Sequence, residues 1–460
     1  MQDHTQATDR KFMETESIPK LLTRFAGPAL AGMLCNALYN IVDRIFVGQT
    51  VGAPGLGAIA LAFPCMLFFL SVSFLVGMGA ASRVSILMGE KKPERAEQTL
   101  GNATTMAIVL GIACWVLGRV FFRDILLLSG ASEKLYPVAA AYLSIILYGV
   151  VFSIVSFALS CQIRAMGSPT YAMGSQAVGA LANIVLDAWL VLGKDMGVEG
   201  AAIATVISQF FSMLWALSYF FRRQAVLKLR IRYLLSPDRV TLGRILAVGI
   251  PSCLVQLNFV LVHGMITNAA SSHGGDLAVS ATGIFMSLDS LLFMPAIAIA
   301  EACQPIVGYN YGAGKIERVV RTVKTGVLAT TVFYCLSFAA LMLFAEYMVM
   351  LFNSDDGELI ALAARAVRFA NVGIPVMGIS VINTSFLQGL GKGREGLILA
   401  AIRFGLFLWI PLLVLPRYFG VYGAWGSFPV SDICGSVVSG LFMLYTIRNL
   451  RAGLNPAHAG

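Results

Sequence analysis

The sequence is dominated by apolar runs longer than any soluble core helix requires. A helix needs about 20 apolar residues to cross a bilayer. The chain offers twelve such runs, at approximately 20–48, 55–88, 95–121, 134–160, 170–192, 199–221, 241–269, 276–307, 316–343, 358–387, 394–416 and 421–447. Only 12% of its residues are charged, against about 25% in an ordinary soluble domain. The expected fold is therefore an all-α polytopic membrane protein. Pro28, Pro64, Pro251, Pro295 and Pro375 fall inside runs, where neighbouring helices can satisfy the backbone groups that proline frees.

Most of the 33 Lys and Arg residues lie on one side of this topology: the N-terminal arm, the loops after even-numbered runs, and the C-terminus. Arg222, Arg223, Lys228, Arg230, Arg232, Arg239 and Arg244 crowd a single linker. By the positive-inside rule both termini are cytoplasmic. The net charge of +9 then needs no nucleic-acid partner. The first run is too long for a cleavable signal peptide. The expected division is a cytoplasmic arm at 1–19, a first lobe at 20–221, a basic linker at 222–240, a second lobe at 241–449 and a tail at 450–460. All eight cysteines sit inside apolar runs without ligand spacing, and the four histidines are scattered, so neither a metal site nor a cofactor is expected. "GLGKG" at 389–393 ends a membrane run with no strand before it, which excludes a phosphate loop. No enzyme motif is present.

The chain repeats itself. "MGEKKPERAEQT" (88–99) aligns with "YGAGKIERVVRT" (311–322) at an offset of 223, and the same offset places Pro28 on Pro251 and "GVEGAAIA" (197–204) on "GVYGAWGS" (420–427). "RAMG" (164–167) meets "QGLG" (388–391) at 224. Six crossings per copy is an even number, so the halves enter from the same side, as the parallel repeats of some transporters do. Two six-helix bundles of this kind would frame a central cavity able to open to either side.

Within the first copy, Asn36, Tyr39, Asn40 and Asp43 recur at spacings of three and four, a stripe on one helix face. Gln176, Asn183 and Asp187 form a second stripe, and Thr205 and Gln209 a third. A carboxylate at mid-bilayer costs about 2.5–3.5 kcal/mol on insertion scales, so the stripes should turn inward and meet. At the repeat offset Asp43 falls on Ile266 and Asp187 on Ile410 or Pro411; neither acid is copied. Desolvated, mutually repelling carboxylates can hold and release a proton. With amide and hydroxyl oxygens they can equally coordinate a monovalent cation such as Na⁺, and the residues leave that choice open.

"GPALAGMLCNALYNIVDRIFVG", "LANIVLDAWLVLG", "GVEGAAIAT" and "QPIVGYNYGAGK" together resemble the multidrug and toxic compound extrusion (MATE) transporters, in the bacterial DinF-like and MepA-like efflux branch. The resemblance covers the whole chain and implies two pseudo-symmetric six-helix bundles. It implies antiport of small organic, often cationic, compounds against H⁺ or Na⁺, by a monomer in the bacterial cytoplasmic membrane. It places the coupling site at Asp43, Asn183, Asp187 and Thr205 with Tyr39 beside it. Pro28 matches a first-helix proline that bends in some members. Another branch puts acids on the seventh and tenth helices. Here those runs carry Gln256, Asn258 and His263, then Asn371 and Asn383, but no acid, so a second-lobe cation site of that kind is not expected. Further candidates for a substrate cavity are Asn36, Asn40, Gln176, Gln256, Asp289 and Glu301. The last two are about 18 Å apart along one helix, too far to share an ion. The alternative function is a flippase for a lipid-linked or amphiphilic metabolite. It would need a strongly basic cavity, whereas the runs hold few mid-membrane cations, Arg44 lying near one edge.

Overall fold

A computed structural model describes residues 12–223, 225–352 and 356–453, and these form twelve membrane-length helices. In the first half they are α1 (Ile18–Thr50), α2 (Ala53–Gly89), α3 (Pro93–Val120), α4 (Tyr136–Ala165), α5 (Pro169–Gly193) and α6 (Gly197–Phe221). The trace Arg239–Gly312 would be about 111 Å long as one helix, far beyond a hydrocarbon core of about 30 Å. It is two helices, α7 and α8, which part at Gly275 (φ 65°, ψ −162°). Then follow α9 (Ile316–Met350), α10, α11 (Gly393–Phe419) and α12 (Val421–Ala452). α10 reads as one run in the sequence but is two pieces, Gly357–Ala370 and Ile374–Gly389, bent by 55°. Pro375 stands in the first turn of the second piece. Proline is at home there because it lacks the N–H that a continuing helix would use. α1, by contrast, runs uninterrupted through Pro28.

Two compact units result. The first is built on Gly27–Leu257; the second begins at Asn258 and takes in Ser17–Ala26. In the first, α4 packs along α2, α3 and α6, and α5 lies on α6. The basic linker is tied down within it: Arg230 pairs with Glu97 of α3 at 2.6 Å, and Glu97 also accepts from the Lys228 amide at 3.0 Å. Asp238 caps the start of α7, accepting from the Thr241 hydroxyl at 2.6 Å and its amide at 2.9 Å. These bonds hold the exposed Asp238 carboxyl below the usual carboxylate range. In the second unit α9 packs on both pieces of α10, and α12 on α10 and α11. Trp425, Phe285 and Leu341 are buried in its core. Indole N–H groups there find partners, Trp425 donating to Thr282 at 3.0 Å and Trp409 to Asn258 at 2.8 Å.

The duplication is written into the backbone. After α2, α4, α8 and α10 the chain turns through a left-handed residue: Lys91 (φ 59°), Gly167 (φ 93°), Gly314 (φ 71°) and Gly391 (φ 73°). At each, that residue's amide bonds back three residues and the next amide back five: Lys91 to Met88 and Lys92 to Leu87, Gly314 to Tyr311 and Lys315 to Asn310, and likewise at 167 and 391. This is the Schellman closure of a helix C-terminus, made at each of these four connections. On the opposite connections Gly52, Gly275 and Gly420 share φ of 59–73° and ψ of −142 to −162°, a region open essentially to glycine alone. Gly52 and Gly275 stand 223 residues apart, as do Lys91 and Gly314.

Candidate functional site

α1 presents Asp43 inward and its neighbours Ile41, Arg44 and Ile45 outward. Asp43 is 7% exposed although it sits in a membrane-length helix. Arg44 lies within electrostatic reach of it but makes no ion pair with it; its guanidinium lies 5.9 Å from the Phe63 ring centre. Asp187, fully buried, is the last α-helical residue of α5, and a π-helical stretch, Ala188–Gly193, follows at once. Wide turns of this kind are rare and concentrate at functional sites.

The structure brings the two acids together: the carboxyls of Asp43 and Asp187 lie within hydrogen-bonding reach of each other. One helical turn before Asp187, buried Asn183 donates to Thr205 of α6 at 3.5 Å. Tyr39 precedes Asp43 by one turn and lies within electrostatic reach of both acids. So does Tyr142 of α4, 2% exposed, which the sequence did not single out; it is one of several hydroxyl side chains in that run, and nothing in its spacing sets it apart. Asp43 Oδ1, Asn183 Oδ1 and both carboxyl oxygens of Asp187 are buried acceptors without a donor. Among the described residues no basic group pairs with either acid. Four orphan oxygens around two acids suit one added positive charge, either a proton between the carboxyls or a hard monovalent cation.

This cluster borders a cavity of about 190 Å³ within the first unit, which Asn36, Tyr39, Gln176, Asn183, Thr205 and Gln209 help to line. Serines 153, 156, 160, 175, 208 and 212 supply much of the rest. Glycine makes room for the larger amides. A Cβ on Gly32 would collide with the Gln176 amide, and one on Gly149 with Gln209. Asn36 donates to Gln176 across the cavity wall at 3.3 Å.

Other candidates lie elsewhere. Asn40 is exposed and its amide turns back to the Asn36 carbonyl at 2.7 Å. Gln256 is half-buried on α7, and Glu301 is buried on α8. Asp289, also on α8, falls in a second polar cluster within the second unit. It is within electrostatic reach of Asp432 of α12 and of Tyr334 of α9. Asp432 pairs with Arg403 of α11 at 3.4 Å. One cation does sit within a span: Arg403 is largely buried inside α11, in a second π-helical stretch, Ala401–Trp409. Among the described residues no three of His, Cys, Asp and Glu converge as metal ligands would.

Comparison with known proteins agrees with this fold. A family model described as MatE matches residues 28–189 and 251–414, stretches that begin 223 residues apart. The chain is 25% identical over 439 residues to the multidrug export protein MepA of Staphylococcus aureus, covering 95% of this chain and 96% of that protein. It is 26% identical over the same length to MepA of Staphylococcus haemolyticus. Among solved structures, an outward-facing multidrug resistance MATE transporter of the MOP superfamily superposes with a TM-score of 0.90 at 23% identity, over 96% of this chain and 98% of the other. A MOP-superfamily transporter from Pyrococcus furiosus does so at 0.88 and 24%, over 96% and 98%. These structures share the fold.

Proposed function

The chain belongs to the MatE family, and from that premise we propose that it is a secondary active multidrug exporter. It moves small organic, often cationic, compounds out of the cell in exchange for H⁺ or Na⁺. The observation that carries this reading is the Asp43–Asp187 pair, buried without an ion-pair partner beside Tyr39, Asn183 and Thr205, which line the cavity. A buried acid pair of this kind takes up one positive charge readily and a second with difficulty. The residues with coupling roles are Asp43, Asp187, Asn183, Thr205 and Tyr39. Asn183 and Thr205 orient the oxygens, and Tyr39 adjoins both the carboxyls and the cavity. Asn36 and Gln176 contact the exported compound. A cation arriving in this wall changes the charge facing the cavity and so the hold on a cationic compound. Alternating access of the two bundles, in a cytoplasmic membrane with both termini inside, converts that exchange into export. The homologous MepA proteins, described as multidrug export proteins, support the substrate class. The test is counterflow in proteoliposomes with proton and sodium gradients imposed separately. One of the two gradients should drive uphill export in the intact chain and fail to do so in Asp187→Asn. Export indifferent to both gradients would remove the antiport reading.

A further inference from the structure

The second unit holds a buried charge cluster that the first lacks. Arg403 of α11 and Asp432 of α12 form an ion pair at 3.4 Å, with side chains only 15% and 13% exposed. Asp289 of α8 lies within electrostatic reach of Asp432. Tyr334 of α9 lies within reach of all three. It is completely buried, yet its hydroxyl has no partner. Arg403 Nε is likewise buried and unpartnered.

Both ends of the ion pair are seated on glycine. A Cβ on Gly435 would stand 3.0 Å from Arg403 Cγ, and one on Gly373 would stand 2.7 Å from Asp432 Cβ. Gly373 lies at the 55° break of α10, and Arg403 lies in the π-helical stretch of α11. A broken helix and a widened one therefore meet the same pair of charges, an arrangement typical of sites where membrane transporters hold ions.

Charge balance decides what the cluster can bind. Two carboxylates and one guanidinium leave one negative charge in excess, which is costly to hold away from water without compensation. The guanidinium already occupies the position beside Asp432 where a metal ion would need oxygen ligands. What remains is Asp289, within electrostatic reach of an acid on α12 and of an orphan hydroxyl on α9. From this geometry we propose that Asp289, Arg403, Asp432 and Tyr334 form a proton-binding site of the second unit, distinct from the Asp43–Asp187 pair. The proton belongs to the Asp289–Asp432 pair, and the Tyr334 hydroxyl donates to the carboxyl left charged. Its acids come from α8 and α12, not from α7 and α10. The proposal does not rest on the identity of the exported compound.

The experiment uses the full chain in lipid nanodiscs, without substrate, on an Asp43→Asn/Asp187→Asn background that silences the first unit's pair. Infrared difference spectra report protonated carboxyl groups across a pH step, and an indicator dye counts protons. Asp289→Asn should lower uptake by about one proton per chain and remove its carboxyl band. Asp432→Asn should do the same, because Asp289 and Arg403 then balance each other. Arg403→Gln should raise uptake by about one proton, whereas Arg403→Lys, which keeps the charge, should leave the parent count. A purely structural ion pair would not yield this signed pattern. Unchanged uptake in both acid variants overturns the proposal. So does a Na⁺-dependent thermal stabilisation of the background protein that Asp289→Asn abolishes, since the occupant would then be a metal ion. If Arg403→Gln fails to assemble, the two acid variants decide the matter.

Discussion

Two copies of one six-helix plan have settled buried charge in opposite ways. At an offset of 223 residues, Gln209 and Ser212 of the first unit correspond to Asp432 and Gly435 of the second; at 224, Gly149 and Gly179 correspond to Gly373 and Arg403. In the first unit Gly149 seats the amide of Gln209 and Gly179 seats the hydroxyl of Ser212, and these groups line an open cavity. In the second, Gly373 seats Asp432 and Gly435 seats Arg403, and an ion pair stands where the first unit has neutral groups. The first unit keeps its acids on α1 and α5 without an ion pair to either, Arg44 acting on Asp43 only at a distance; the second supplies one. Small residues thus act as sockets, and what fills the socket sets whether a bundle holds a ligand-sized space or a charge network.

The largest effect expected from this contrast is on coupling. Asp187→Asn should lower uphill export at least tenfold at equal membrane abundance, because no other acid in the first unit's cluster can replace the second carboxyl of the pair. Export within twofold of the parent would show that the unpaired acids are not the coupling element. Next in size is Arg403→Met, which leaves two acids without their guanidinium and should destabilise the protein by about 3 kcal/mol at neutral pH. The loss should shrink as pH falls, because protonation then removes the surplus charge. A loss that is the same at every pH, measured by thermal unfolding in detergent, would mean that packing alone is at stake.

A matched pair of glycine variants sharpens the comparison. Gly373→Ala drives a Cβ against the Asp432 stem and the Pro429 backbone, neither of which can yield, and should cost about 1–3 kcal/mol. Gly149→Ala meets the flexible end of Gln209 and one Val206 methyl at 3.1 Å, but no backbone, and should cost less than about 1 kcal/mol. Equal losses would refute the idea that the second socket is the tighter. The smallest effect is at Lys91, the one non-glycine residue among four equivalent Schellman turns. Lys91→Gly should stabilise by up to about 1 kcal/mol, read as a small upward shift in melting temperature; a decrease would mean that the lysine side chain has a role of its own.

Much of this could be read in the sequence, for a physical reason. Helix number follows from apolar length, and the repeat from turn residues that only certain backbones admit. The N-x-x-x-D spacing of Asn183 and Asp187 puts two costly groups on one face, so their convergence with Asp43 could be anticipated. Arg403 and Asp432 could not be, because each is a single charge in an apolar run, and their partnership crosses from α11 to α12. Tyr142 gives no pattern at all. The break in α10 was hidden because its apolar character continues across it, and only the placement of Pro375 hints at it. The π-helical stretches after Asp187 and around Arg403 leave no trace in hydropathy, since they alter where side chains point and not which side chains they are.

The approach of Gly373 to Asp432, 2.7 Å for a Cβ that glycine does not have, leaves no slack between the elbow of α10 and the acid beside it. Any motion that straightens the elbow must push on that stem and lengthen or shorten its contact with Arg403. Helix shape and ionic contact at this joint are therefore one mechanical variable, and a force applied to either is felt at once by the other.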